Sequence, residues 1–244
     1  MELMLCLRVL LALASGVSGA KQLVRSNTAN RSGWGHRLFD LLNPRFWAAS
    51  APSDKYGRKI AVALLVCSLG DGFLEVRDEW PEHERSFFLA GLVSFLVGHV
   101  LFIPAFCPSP GFHMLTDQPL VTAIALGYAS AFYAYLLPNL PSALRVPMLV
   151  YALGLALMFL AACARSRALA GCRGGSLAAF GALSFLVSDS VLASNKFVAP
   201  LPHSKMAIMV TYYVAQGLIT ASAAYNPDTA AQKSDASHAR APAQ

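Results

Sequence analysis

Gly181-Ala-Leu-Ser-Phe-Leu-Val-Ser-Asp-Ser-Val-Leu-Ala-Ser-Asn-Lys-Phe197 decides the fold. The stretch reads as one apolar helix with a single carboxylate, Asp189, near its far end. An ionisable side chain inside a bilayer helix costs about 2.5–3.5 kcal/mol on insertion scales, so it is usually kept for a function. A second element of this kind lies upstream, Leu64-Leu-Val-Cys-Ser-Leu-Gly-Asp-Gly-Phe-Leu74, and carries Asp71.

The rest of the chain has the same character. Of its 244 residues 56% are hydrophobic and 13% charged, with a mean hydropathy of +0.50. Soluble domains carry about 25% charge. Apolar runs recur at the ~20-residue length that crosses a hydrocarbon core. Spans are expected at approximately 58–76, 86–107, 119–137, 145–164, 175–193 and 206–225. The runs do not alternate with period two, which argues against a β-barrel. The expected fold is all-α, a polytopic transmembrane helical bundle of about seven to eight membrane helices. Links such as Trp80-Pro81, Pro108-Ser-Pro110 and Pro138-Asn-Leu-Pro141 are short, so sequential helices run antiparallel.

Outside the bundle at 58–225, residues 1–20 read as an N-terminal hydrophobic helix or signal anchor. Residues 21–57 are polar and basic, with Phe39, Phe46 and Trp47 as interfacial anchors. Residues 226–244 read as a disordered tail. The net charge of +6 sits in loops, which makes it a topology signal rather than a nucleic-acid surface. Arg165, Arg167 and Arg173 fall on the side of the 21–57 segment, and the acidic link Arg77–Arg85 on the other. The 21–57 loop and the C-terminus are therefore expected in the cytoplasm. The five scattered cysteines form no CxxC or Cys/His spacing, so no metal or cofactor is signalled.

Depth along each span follows from a rise of about 1.5 Å per residue. Asp71 and Asp189 each come out about 20 Å from the cytoplasmic end, on helices running the same way. Tyr151 and Tyr212 reach the same level from the opposite end, and Gln216 lies one turn beyond Tyr212 on the same face. His99 comes out about 10 Å away from this layer. Asn195 and Lys196 close the stretch that opened this reading, as flanking residues or as contacts to a head group.

Two carboxylates facing one another in a low-dielectric layer do not both carry charge easily. One then serves as acid and the other as base, the arrangement used for reactions through an oxocarbenium ion. A vinyl ether is one group that reacts through such a cation: its alkene carbon is protonated, water adds, and the hemiacetal collapses to an aldehyde and an alcohol. The residue types do not by themselves select this substrate. No G-x-S-x-G elbow occurs, so acyl transfer is not signalled. The residues also leave room for a proton-coupled or lipid transporter using the aspartates, and for a non-catalytic scaffold.

Five stretches, in order, resemble the lysoplasmalogenase (YhhN-like) family of multi-pass membrane proteins. They are Cys67-Ser-Leu-Gly-Asp71, Phe88–His99, Arg145-Val-Pro-Met-Leu-Val-Tyr151, Gly181–Ala193 and Thr211-Tyr-Tyr-Val-Ala-Gln216. The resemblance implies an ether hydrolase acting on a lysophospholipid substrate within the lipid bilayer, without a cofactor. Its products would be a fatty aldehyde and glycerophosphocholine or glycerophosphoethanolamine. It implies polar site positions at Asp71, His99, Tyr151, Asp189, Tyr212 and Gln216, and a location in the endoplasmic reticulum. Asp71 and Asp189 are expected to be catalytic, and Tyr151, Tyr212, Gln216, His99, Asn195 and Lys196 to bind or orient.

Overall fold

The computed structural model describes residues 54–107 and 115–227. Six long helices follow one another there: α1 (Lys55–Glu79), α2 (Glu84–Phe106), α3 (Pro119–Leu136), α4 (Ser142–Ala168), α5 (Arg173–Phe197) and α6 (Ser204–Ala224). Each covers one expected span to within a few residues. Helices α2 to α6 are long and apolar enough to cross a membrane. α1 has the length, but Arg58, Lys59, Asp71 and Glu75 make it more polar. The expected total of seven to eight membrane helices is thus not reached within the described residues. The expected hydrophobic helix or anchor at 1–20 and most of the expected basic segment at 21–57 lie outside them, as does the expected tail beyond residue 227.

The bundle is built from two tight hairpins and a central strut. α1 pairs with α2, and α5 with α6; α4 stands between α2 and α5, and α6 returns to α1. These five helices form a ring, and α3 lies outside it against α4. In a bilayer the lipid chains are as apolar as leucine, so close packing of small residues replaces the hydrophobic effect as the drive for pairing. Gly98 serves this in the first hairpin, where a Cβ would stand 2.5 Å from the Cys67 sulfur. Gly181 does so in the second, where a Cβ would stand 2.7 Å from Ile219. Ser184 and Ser188, one turn apart, add hydrogen bonds to the Thr211 and Ile208 carbonyls of α6. Between the hairpins the interior is filled by Phe102, Phe106, Met158, Leu160 and Phe185, all essentially inaccessible.

Two edges of the expected bundle move. α1 opens at Lys55 rather than near residue 58, because the Asp54 carboxylate accepts the Gly57 N–H at 2.7 Å, a helix cap. Asn226, expected to begin a loose tail, is buried. It accepts a hydrogen bond from Arg165 at 2.6 Å and donates one to Asp54 at 3.0 Å. The Arg165 guanidinium also lies 3.7 Å over the Tyr56 ring, and the Tyr56 hydroxyl bonds Ser222 at 2.7 Å. This polar knot joins α1, α4 and α6 at the basic end of the bundle. It fastens the thinnest seam of the ring, between α1 and α6.

Candidate active site

Each of the two aspartates is held by one tyrosine. On α4 the Tyr151 hydroxyl donates to Asp189 Oδ2 of α5 at 2.6 Å. On α6 the Tyr212 hydroxyl donates to Asp71 Oδ2 of α1 at 2.8 Å. Both tyrosines are buried, so neither is an interfacial anchor. Each carboxylate expected in the layer is thus bonded to one of the two tyrosines expected beside it, Asp189 to Tyr151 and Asp71 to Tyr212. No hydrogen bond joins the two carboxylates. Aromatic rings lie between the pairs, with Phe185 in edge contact with Tyr212 at 5.3 Å and with His99 at 4.8 Å.

His99 departs from its expected place. It lies in the layer, with Nε2 3.7 Å from Asp189 Oδ2 and its ring against Tyr151. The cause is the direction of side chains. Every Cα–Cβ bond leans toward the N-terminus of its own helix. α2 runs opposite to α1 and α5, so His99 and the aspartates lean toward each other. The Gly98–Cys67 contact also sets the α2 backbone only one turn below Asp71, about 6 Å. His99 is completely buried, and neither ring nitrogen has a hydrogen-bond partner.

Asp189 lines a cleft that runs between α2, α3, α4 and α5 and is partly open to the surroundings. Its walls are mainly apolar, with Leu92, Phe132, Leu155 and Leu186 among them. Its polar groups are Asp189, Tyr151, Ser190, Tyr128 and Lys196. Asp71 does not line it. Phe95 does, and its ring packs on both Gly70 and Tyr212, the residues flanking Asp71.

The remaining expected residues divide. Lys196 stands at the mouth of the cleft, paired with Glu84 and placed over the Phe88 ring. Asn195 is not brought to the cleft; its side-chain oxygen accepts the Leu201 N–H at 2.9 Å and closes the turn after α5. Gln216 is buried one turn beyond Tyr212, and its amide has no hydrogen-bond partner. It does not line the cleft either. Among the described residues, no three His, Cys, Asp or Glu side chains converge as metal ligands. Sequence reading passed over Tyr128, which lines the cleft and bonds Ser190 at 2.8 Å. A signal was available: Tyr128 sits at the middle of its span, whereas anchoring tyrosines sit at the ends.

The chain matches the YhhN family over residues 39–223. It is 37% identical over 172 residues to lysoplasmalogenase TMEM86B of Sus scrofa, covering 70% of this chain and 66% of that protein. It is 36% identical over 181 residues to lysoplasmalogenase TMEM86B of Homo sapiens, covering 74% and 70%. Lysoplasmalogenase TMEM86A of Homo sapiens is 38% identical over 168 residues, covering 68% and 65%. The chain thus spans about two thirds of the length of these relatives. No solved structure matches it. With the family matched from residue 39 to residue 223, across all six helices and both aspartates, the chain belongs to the YhhN family.

Proposed function

We propose that this chain is a membrane-embedded hydrolase that cleaves the vinyl-ether bond of lysoplasmalogens, releasing a fatty aldehyde and a glycerophospho head group. The single observation that carries the reading is Asp189, the one carboxylate on the wall of a mainly apolar cleft at membrane depth. The names of the relatives point to the same substrate class. One long chain fills the apolar part of the cleft, and the head group meets Lys196 at its mouth.

The chemistry runs in three steps. Asp189, protonated, gives its proton to the alkene carbon one removed from the ether oxygen. That oxygen shares its electrons with the neighbouring carbon, forming an oxocarbenium ion. Water adds to this carbon and passes one proton to a carboxylate. The hemiacetal then collapses: its hydroxyl proton leaves, the carbonyl forms, and the glycerol oxygen departs with a proton. Tyr151 occupies one oxygen of Asp189 and so fixes which oxygen faces the substrate. Asp71 is the second member of the acid/base pair, but it does not line the cleft. The proton released by water therefore passes first to the Asp189 carboxylate, which gave up its own in the first step, and Asp71 takes it by onward transfer. Tyr212 orients Asp71. The six described helices are unbroken, unlike the discontinuous helices on which many carriers build their ion sites.

We infer a location in the endoplasmic reticulum from the family resemblance, with the basic end of the bundle in the cytoplasm. Arg58, Lys59, Arg167 and Arg173 gather at that end and support this orientation.

Purified protein supplied with a 1-alkenyl lysophospholipid should release aldehyde. Asp189→Asn should lower that rate by about 10²–10⁴, the usual worth of a general acid. Asp71→Asn should lower it less, because Asp71 stands behind Phe95. Full activity in Asp189→Asn rejects the acid role. No aldehyde from the unaltered protein in several detergents and lipids rejects the activity.

A further inference from the structure

We propose that the hydroxyl pair Tyr128–Ser190 reads the free hydroxyl on the glycerol carbon next to the ether-bearing carbon, and so selects single-chain substrates. The inference rests on the vinyl-ether reading above and adds a specificity site to it.

The argument begins with proton directions. Ser190 Oγ lies 2.7 Å from the Leu186 carbonyl, which can only accept, so the one serine proton goes there. Tyr128 and Ser190 are 2.8 Å apart, and one of them must donate. With the serine proton committed, the donor is Tyr128. Both protons of the pair are then spent inside the protein. What remains toward the cleft, which both residues line, is acceptor capacity alone. Such a pair is matched by a ligand hydroxyl, which brings a proton. It has nothing to offer an ester or ether oxygen, which can only accept.

Position supports the same partner. Ser190 follows Asp189 directly, and Lys196 lies seven residues beyond Asp189, two turns along α5 on one face. Three chemistries are thus set in order along one helix: a proton donor, a hydroxyl acceptor and a cation. A lysoplasmalogen presents its groups in the same order, vinyl ether, free hydroxyl, phosphate. Six bonds separate the reacting carbon from phosphorus. The Lys196 ammonium, paired with Glu84 over the Phe88 ring, ends that order. The rest of the wall is apolar and narrow, suited to one chain.

The test compares two substrates in one preparation, so that any loss of folded protein cancels. One is the 1-alkenyl lysophosphocholine; the other is its analogue with hydrogen in place of the free hydroxyl. The unaltered protein should favour the hydroxyl substrate roughly tenfold in kcat/KM, the worth of about one neutral hydrogen bond. Tyr128→Phe keeps the ring stacked on Phe132 and removes the acceptor. In this variant the preference should fall to about twofold or less. Ser190→Ala, which frees the tyrosine proton, should also reduce it. An unaltered protein that hydrolyses both substrates equally overturns the proposal, as does a Tyr128→Phe variant with the original preference. Aldehyde from neither substrate overturns the vinyl-ether reading and this proposal with it.

Discussion

A carboxylate at membrane depth is defined by what touches it. Asp189 has one phenol at 2.6 Å and one imidazole at 3.7 Å. Tyr151→Phe removes the closer donor and should slow aldehyde release about tenfold, measured as initial rate. The same change should lower the unfolding free energy by about 1–3 kcal/mol, because a buried acceptor loses its partner. His99→Phe gives the opposite pattern. The phenyl ring keeps the contacts with Phe185 and Tyr151, so thermal unfolding should stay within a few degrees. Turnover should nonetheless drop about tenfold, because the imidazole N–H can close on Asp189 once that side chain carries charge. Unchanged turnover in His99→Phe would remove His99 from the reaction. Much of this was legible in the residues themselves. Counting rise along each span placed Asp71, Asp189, Tyr151 and Tyr212 in one layer. The count failed at His99 because it located Cα atoms, whereas contacts are made by side chains that lean along the helix. Tyr128 was missed for another reason. Its partner lies on α5, and linear order does not specify where α3 sits around a bundle.

At the scale of helices, glycines separate the joints that bear close packing from those that do not. Gly98→Ala would drive a Cβ to 2.5 Å from the Cys67 sulfur and force α1 and α2 apart. It should cost about 1–3 kcal/mol in a denaturation series and reduce activity as His99 shifts. Gly127 on α3 has nothing within 4 Å of its would-be Cβ. Gly127→Ala should therefore be neutral or stabilising by up to about 1 kcal/mol, through helix propensity alone. The contrast follows the architecture. α3 is the least buried of the five apolar helices and touches the ring chiefly through α4, with a lighter contact to α5 at Tyr128 and Ser190. Two bonds pin it there, from Gln118 to the Leu160 carbonyl and from Tyr133 to the Arg145 carbonyl. Helix ends were read well from hydropathy, since the edge of an apolar run is also where the chain leaves the bilayer. The exceptions at Asp54 and Asn226 arise where polar residues are satisfied by one another, not by water.

For the whole molecule, orientation is the first consequence of charge placement. A glycosylation acceptor inserted in the link at residues 80–83 should be modified in cells, and one in the link at 169–172 should not. The reverse result would invert the bundle in the membrane. Arg165 corrects one detail of that charge count. It was counted as a loop charge, yet it is buried under Tyr56 and bonded to Asn226. It still lies at the basic end, and the sum was unaffected.

The thin seam between α1 and α6 also fixes an order of events in synthesis. Asp71 leaves the ribosome with α1, but Tyr212, its hydrogen-bond partner, follows 141 residues later. Asn226, which links Arg165 to Asp54, arrives later still. Until α6 is inserted, the growing chain holds a carboxylate at membrane depth without its phenol, and a ring that cannot close. A chain stopped after α5 should therefore release no aldehyde and be degraded faster than the full chain, as a pulse–chase would read.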